Sequence, residues 1–184
     1  QKISSSSIEN FAKKKALNMR TPLTLDSDEE YDFMKNLKPD IVVVIAYGKI
    51  ISKRFLNLAK YGFINVHASL LPKWRGAAPI QRSIMNLDSE TGISIMKVVE
   101  ELDAGPVMHQ AKIAINENTD TQTLTQVLSQ LGAKALLDSI SKIENGKAKF
   151  KEQNHNQATY AKKISKAEGK IEWNESAKKV LAKI

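Results

Sequence analysis

The segment Gly62–Gln81, GFINVHASLLPKWRGAAPIQ, restricts the possible folds of this chain more than any other stretch. Polar and apolar residues alternate at its start, so a strand here would carry Asn65 and His67 on one face, roughly 6 to 7 Å apart. Pro79 is suited to the first turn of a helix because its φ is already fixed. The segment therefore predicts a strand, a loop and a helix in succession.

Asn65 and His67 lie at the carboxyl end of the predicted strand. In open α/β sheets, ligands bind outside the carboxyl ends of strands, which favours a functional site here. Polar side chains cost free energy when they are buried without partners, so the alternative is a hydrogen-bonded pair inside the core. The pattern alone leaves both interpretations open.

Two capping boxes and one long periodic stretch predict helices. Ser6 with Glu9 and Ser27 with Glu30 each place a hydroxyl three residues before a glutamate. This arrangement satisfies backbone donors at the start of a helix. The longest predicted helix is Thr121–Ile143, whose leucines and isoleucines recur at helical spacing.

Ser52 and Asn174 are the predicted N-caps of two shorter helices, because their side chains can accept from the first turn. The helix after Ser52 would run to about Lys60. Gly62 would close it, since glycine adopts the left-handed conformation that commonly ends a helix.

Three further stretches predict strands. Ile41–Ala46 is unbroken aliphatic sequence, which is typical of a central parallel strand covered on both faces. The mixed pattern of Ile93–Val98 predicts a strand that is less deeply buried than Ile41–Ala46. After a loop at Val99–Pro106, polar and apolar residues alternate from Val107 to Ile115, as in a half-exposed antiparallel strand.

The composition excludes several classes of site. No cysteine is present, which excludes disulfides, thiolate metal ligands and a cysteine nucleophile. Three scattered histidines do not make a zinc set, so no metal site is predicted. No G-x-G occurs, and Gly48-Lys49 lacks the earlier glycine of a P-loop. Ser69 has no G-x-S-x-G context and lies two residues from His67, so the sequence does not support a serine hydrolase.

The net charge and the hydropathy limit the expected partners. Lys and Arg number 28 against 20 acidic residues, a formal charge of +8 with a pI near 9.5. This balance is compatible with a polyanion such as RNA, and equally with a solvated lysine-rich surface. No apolar run approaches the ~20 residues that cross a bilayer, so we expect no membrane partner. The absence of cysteine fits a cytoplasmic location, which we expect.

Two motifs resemble one known family. Residues 64–81, INVHASLLPKWRGAAPIQ, are similar to the signature of the methionyl-tRNA formyltransferases, members of the 10-formyltetrahydrofolate-dependent formyltransferase superfamily. Glu101–Pro106, ELDAGP, resembles the folate-side loop of the same superfamily. Ser165–Glu168 and Ile171–Trp173 are also similar to this family, so the resemblance covers nearly the whole chain.

The resemblance implies an α/β fold with a Rossmann-like, mostly parallel sheet, helices on both faces and an antiparallel edge strand. Residues 1–146 would form the catalytic domain, lacking its first strand and helix. Residues 147–184 would form a polar segment and a helix that lead to an absent C-terminal β-barrel domain. Both ends look cut, so we interpret the chain as a fragment. Gln1-Lys2 would be the only remnant of a basic loop that grips the tRNA acceptor end.

The resemblance also implies the site residues and their ligands. Asn65, His67 and Asp103 match the catalytic set of the family. The pterin of the donor, 10-formyltetrahydrofolate, would lie against a loop and an apolar wall formed by Ser69, Leu70, Leu71, Pro72, Leu102 and Asp103. The acceptor would be initiator methionyl-tRNA, and the enzyme a monomer without a metal. At the sharp exit from the strand, the Leu71-Pro72 peptide bond is predicted to be cis.

These residue types suit formyl transfer. Moving a formyl group from a folate nitrogen to an amine passes through a tetrahedral intermediate with a negative oxygen, to which Asn65 can donate. His67 can add a second, cationic donor, because a nearby carboxylate favours the protonated ring. Asp103 can be that carboxylate and can accept the proton that the attacking amine loses.

Other functions fit part of the same pattern. With the same donor, the acceptor can be glycinamide ribonucleotide, an amino-sugar nucleotide, or water in a deformylating hydrolase. Trp74–Gln81, WRGAAPIQ, favours the tRNA branch by resemblance. A non-catalytic basic RNA-binding module would suit the charge equally well, but the combination of Asn65, His67 and Asp103 argues against it.

Overall fold

The computed structural model describes residues 5–184, so the predicted remnant at Gln1-Lys2 lies outside the described residues. The helices are α1 (Ser7–Lys14), α2 (Asp28–Leu37), α3 (Lys53–Leu56), α4 (Pro79–Met85), α5 (Thr121–Glu144) and α6 (Ala177–Leu181). The strands are β1 (Val42–Ile45), β2 (Phe63–His67), β3 (Arg75–Gly76), β4 (Glu90–Lys97), β5 (Val107–Ala114) and β6 (Tyr160–Ala161). Within residues 5–184, no helix has the length and hydropathy needed to cross a membrane.

The main sheet has the strand order β1-β2-β4-β5. β1 runs parallel to β2, whereas β4 is antiparallel to both β2 and β5. The α/β class and the antiparallel edge strand β5 are therefore confirmed. The antiparallel part is larger than the sequence predicts. α4 has only 7 residues and a rise of about 10 Å, so the chain enters β4 near the carboxyl end of β2.

Helices cover the two faces of the sheet, as predicted. On one face, Ile64 of β2 and the isoleucines of β4 pack against Leu124 and Leu128 of α5. On the other face, Phe63 packs against Phe55 of α3, with side chains of α2 around them. Alternate residues of β2 thus point into two separate apolar clusters. The face that carries Phe63 also carries Asn65 and His67, because side chains alternate along a strand.

In the part of the chain that the structure describes, β1 is an edge strand and not the central strand that the sequence predicts. Within residues 5–184 it pairs only with β2, and Val43 and Ile45 are 36% and 60% exposed. β4 is the most buried strand instead, with six consecutive buried residues from Thr91 to Met96. The prediction that Ile93–Val98 is less buried than Ile41–Ala46 is therefore wrong. β4 lies between two strands and beneath α5, a placement that its local pattern does not contain.

Some helix caps are confirmed and others are corrected. The hydroxyls of Ser6 and Ser27 accept from the backbone three residues later, as predicted. The helix after Ser52 ends at Leu56 rather than near Lys60, and Ser52 donates to Asp26 instead of capping. α6 is capped by Ser176 and not by Asn174.

Residues 147–184 return to the loop that follows β2. β6 pairs in parallel with β3 as a separate two-stranded sheet, and Lys151 forms an antiparallel bridge with Val107 at the start of β5. Arg82 of α4 binds Glu168. These contacts fix the loop between β2 and α4, where the predicted site lies. A domain boundary at residue 146 stays a prediction.

Candidate active site

The strand β2 carries the first two predicted site residues. Asn65 and His67 lie opposite Met96 and Ser94 of β4, on the face away from α5. His67 is buried, with 6% of its surface exposed, and Asn65 is half-buried. At the end of β2 the chain turns into the loop that contains Leu71-Pro72, whose peptide bond is cis, as predicted.

Asp103 comes from the loop between β4 and β5 and meets both residues. Its Oδ1 lies 3.4 Å from the Asn65 amide nitrogen, and its Oδ2 lies 3.6 Å from Nδ1 of His67. The backbone N–H of Gly76 donates to Oδ2 at 2.8 Å. The structure therefore brings the three predicted catalytic side chains together, although Asp103 is distant in sequence. Their roles stay predictions.

Both ring nitrogens of His67 face hydrogen-bond acceptors. Nε2 lies 2.8 Å from the carbonyl oxygen of Trp74, which can only accept, so Nε2 carries a proton. Nδ1 faces the carboxylate of Asp103. At 3.6 Å this contact is longer than a hydrogen bond. Both nitrogens thus face protein atoms, and the direct donor role expected from the sequence stays a prediction.

The predicted folate-binding residues divide into two groups. Ser69 and Leu71 are buried: the Ser69 hydroxyl donates to the Lys73 carbonyl at 2.5 Å, and the Leu71 backbone N–H donates to the Ser94 hydroxyl at 3.0 Å. Their polar groups hold the loop in shape. Ser69 does not hydrogen-bond to His67 within the described residues, so the structure does not support a serine nucleophile either.

Leu70, Pro72 and Leu102 are more accessible. Leu70 and Pro72 are half-buried, and Leu102 is 52% exposed beside Asp103. Side chains of this kind offer the apolar contact that an aromatic ligand needs. Their role in binding a pterin stays a prediction.

Asp88 anchors the loop that supplies the Trp74 carbonyl. Its carboxylate accepts from the Trp74 indole at 2.7 Å and from the Asn86 amide at 2.7 Å, and Lys73 lies 3.0 Å away. Burial acts to raise the pKa of Asp88, but these three donors outweigh it and lower the pKa below its ordinary value. Asp88 thus stays ionised and holds Trp74, whose carbonyl accepts from His67.

Sequence reasoning missed Arg75 and Gln153. Arg75 is 1% exposed and donates to the side-chain oxygen of Gln153, and the Gln153 amide donates to the carbonyls of Asp103 and Gly105. His155 lies 3.5 Å from Arg75. Gln153 stands in a polar segment without periodicity, so no local signal could reveal that it reaches the Asp103 loop.

A family model described as formyl transferase matches residues 2–140 of this chain, which include β2 and the Asp103 loop. The chain belongs to the formyl transferase family. Among curated family members, the chain is 52% identical to the methionyl-tRNA formyltransferase of Pelagibacter ubique and 44% identical to that of Sulfurihydrogenibium sp.. Each alignment covers 100% of this chain and 60% of the relative, so the chain spans about three fifths of the length of these formyltransferases.

Solved formyltransferases share the fold. The N-formyltransferase from Helicobacter canadensis, in complex with folinic acid and dTDP-3-aminofucose, superposes with a TM-score of 0.78 at 20% identity, covering 99% of this chain and 65% of that chain. The sugar 3N-formyl transferase WlaRD, with dTDP and 5-N-formyl-THF, gives a TM-score of 0.73 at 18% identity, covering 95% of this chain and 60% of that chain. At these identities the similarity concerns the fold alone.

Proposed function

We propose that the full-length protein carrying this sequence transfers a formyl group from 10-formyltetrahydrofolate to the amino group of initiator methionyl-tRNA. The main observation behind this proposal is the position of the Asp103 carboxylate, which lies between the Asn65 amide, the His67 ring and the Gly76 N–H. The methionyl-tRNA formyltransferases to which the chain is 52% and 44% identical support the choice of acceptor.

We assign different tasks to the two carboxylate oxygens. Oδ2 accepts from Gly76 and faces His67, whereas Oδ1 has only a long contact of 3.4 Å with Asn65. Oδ1 is therefore the freer oxygen and takes the proton that the amine loses as its nitrogen bonds to the formyl carbon. The bond from that carbon to the folate nitrogen then breaks, and the folate nitrogen takes the proton from Asp103, which returns to the carboxylate form.

Asn65 and His67 stabilise charge in this scheme. The second N–H of the Asn65 amide donates to the negative oxygen of the tetrahedral intermediate. His67, whose Nε2 binds the Trp74 carbonyl, acts on the reaction through Asp103, because its Nδ1 lies 3.6 Å from the Asp103 carboxylate. This assignment replaces the direct donation by His67 that the sequence suggested.

The donor is expected to occupy the surface beside Asp103. We assign the apolar contacts to Leu70, Pro72 and Leu102, with Ser69 and Leu71 shaping the loop from within. Folate compounds bound to structurally similar proteins support a folate donor, as in the HypX protein from Aquifex aeolicus in complex with tetrahydrofolic acid. No metal is needed in this scheme, because the side chains supply the proton acceptor and the oxyanion donor.

The architecture of the full-length protein follows from the same proposal. Residues 1–146 form the catalytic domain in this proposal, and residues 147–184 form a polar segment and a helix. A methionyl-tRNA substrate places the enzyme in the cytoplasm, and we expect it to act as a monomer. The formal charge of +8 supports a polyanionic substrate.

The runner-up acceptor is an amino-sugar nucleotide, which the structural similarity to sugar formyltransferases favours. A formyl-transfer assay of the full-length protein with methionyl-tRNA, an amino-sugar nucleotide, glycinamide ribonucleotide and water distinguishes the candidates. We expect transfer to methionyl-tRNA to be fastest and its affinity to fall steeply with salt, because each neutralised phosphate releases counterions. Preference for a small amine without salt dependence would contradict the proposal. RNA binding without transfer to any acceptor would identify a binding module.

A further inference from the structure

A buried arginine and a buried glutamine lie directly behind the Asp103 loop. Arg75 is 1% exposed and Gln153 is 7% exposed. A buried guanidinium is costly unless its donors find partners. Arg75 donates from Nε and Nη2 to the side-chain oxygen of Gln153, at 3.1 and 2.8 Å. Gln153 thus makes the shortest hydrogen bonds to this buried guanidinium, whose Nη1 also lies 3.5 Å from the Glu101 carboxylate, and the scheme for formyl transfer uses neither Arg75 nor Gln153.

Gln153 uses its other end to hold the backbone on both sides of Ala104. Its Nε2 donates to the carbonyl of Asp103 at 2.8 Å and to the carbonyl of Gly105 at 2.7 Å. The reverse orientation of the amide would place its NH₂ against the guanidinium of Arg75 and its oxygen against two carbonyl oxygens. Chemistry therefore allows one orientation, which Arg75 selects.

We propose that Gln153 is a positioning residue for Asp103, with Arg75 fixing the orientation of the Gln153 amide. The inference rests on the proposed function, in which the Asp103 carboxylate takes the proton of the amine. Asp103 has a φ of +48°, in the left-handed region, which aspartate tolerates better than most residues but which still costs free energy. The two hydrogen bonds from Gln153 stabilise the backbone of Asp103 in this conformation.

The same short strand also holds the side chain of Asp103. Gly76, which follows Arg75 in β3, donates its N–H to Oδ2 of Asp103 at 2.8 Å. β3 in turn pairs with β6, which follows Gln153 in the chain. The backbone and the carboxylate of Asp103 are therefore both held by one platform, which consists of β3, β6 and Gln153. Loss of the Gln153 hydrogen bonds lets the carboxylate move away from Asn65 and His67.

A simpler role for Gln153 is to satisfy the charge of Arg75, and one substitution separates the two roles. Gln153→Glu keeps the size of the side chain and gives Arg75 a full ion pair. Its second carboxylate oxygen, however, faces the carbonyls of Asp103 and Gly105, which can only accept. A positioning role predicts loss of turnover, whereas charge compensation predicts that turnover is retained.

The test uses steady-state formyl transfer to methionyl-tRNA by the full-length protein. We expect Gln153→Glu to lower kcat by about tenfold or more, because a slightly displaced catalytic group loses much of its effect. The KM for 10-formyltetrahydrofolate should change less than about threefold, since the donor surface is untouched. Gln157→Glu is the matched control: it makes the same charge change at an exposed position of the same segment, and it should leave kcat nearly unchanged.

Three results would overturn the inference. The first is a kcat of Gln153→Glu within about twofold of the Gln157→Glu control, whatever the melting temperature. If Gln153→Glu is insoluble, Gln153→Asn replaces it in the assay. The shorter asparagine cannot reach Arg75 and both carbonyls, so wild-type turnover of Gln153→Asn is the second result that contradicts a positioning role. The third needs no activity. A crystal structure of Gln153→Glu in which the Asp103 carboxylate still accepts from Gly76 would refute it.

Failure of the proposed function is a separate result. If the wild-type protein transfers no formyl group to any acceptor, the assignment of the reaction is wrong, and the crystallographic comparison still decides whether Gln153 positions Asp103.

Discussion

Gly105 offers a steric measure of how accurately the Asp103 loop must be placed. A Cβ atom at this position would lie 1.9 Å from the carbonyl oxygen of Lys97, and real Cβ contacts essentially never fall under 3.0 Å. Gly105→Ala therefore forces the loop away from the end of β4 by about 1 Å. Gly105 also accepts a hydrogen bond from Gln153, so the shift moves the loop relative to its anchor.

The size of the effect follows from this displacement. Misplacing a catalytic group by about 1 Å costs about 10²-fold in turnover, so we expect kcat of Gly105→Ala to fall by about that factor. Overpacking of this kind costs roughly 1 to 3 kcal/mol of stability. At about 2 to 4 °C per kcal/mol for a chain of this size, the melting temperature should fall by about 2 to 12 °C.

The assay is formyl transfer at a temperature well below the transition, together with thermal unfolding of the same preparation. Gly169→Ala is the control, because a Cβ there meets no atom within 4 Å and its φ is not positive. Its turnover and melting temperature should match those of the wild type. Turnover of Gly105→Ala within about threefold of this control would refute the argument that the Asp103 loop must be placed to within an ångström.

Three further predictions follow from the site and its surroundings. Asn65→Ala should lower turnover by about 10² to 10³ and Asp103→Ala by roughly 10² to 10⁴. The double variant should lose less than the product of the two single effects. Variants that lose thermal stability but keep their turnover per folded molecule would show that these residues serve core packing instead. Thr91→Val should raise the free energy of unfolding, measured in urea, by about 1 kcal/mol, because the buried Thr91 hydroxyl has no partner among the described residues. An unchanged or lowered value would contradict this. A hydrogen bond from Arg82 lowers the pKa of Glu168 to about 2. The stabilisation from this ionised carboxylate is present above its ordinary pKa of 4.5 and is lost as the pH falls toward 2. Glu168→Gln should therefore lower the melting temperature at pH 7 and much less at pH 2. An equal effect at both pH values would contradict this stabilisation.

Local chemistry made much of the fold predictable. The caps at Ser6 and Ser27, the helix start at Pro79 and the helix at residues 121–144 each depend on residues a few positions apart, and all are confirmed. The cis bond at Leu71-Pro72 was predicted from the motif and is confirmed as well. Short-range signals of this kind survive folding because the backbone groups they satisfy lie in the same turn.

Burial and long-range contacts were not predictable in the same way. The aliphatic run in β1 looks like a central strand, yet burial depends on the neighbours that tertiary structure supplies, and Ile45 is 60% exposed. Asn65 and His67 could be found because they share a strand with a recognisable pattern. Gln153 is 50 positions away from Asp103, and nothing in its own segment encodes that contact.

The pairing of β3 with β6 has a consequence for the order in which the polypeptide is made. By the time residue 103 leaves the ribosome, Asn65, His67 and Asp103 have all been synthesised, but Gln153 and the β6 residues Tyr160 and Ala161 have not. At about 5 to 20 residues per second, several seconds pass before these partners appear. A nascent chain thus contains all three side chains before Gln153 and β6, which align them, have been synthesised. Translation through residue 161 completes their arrangement.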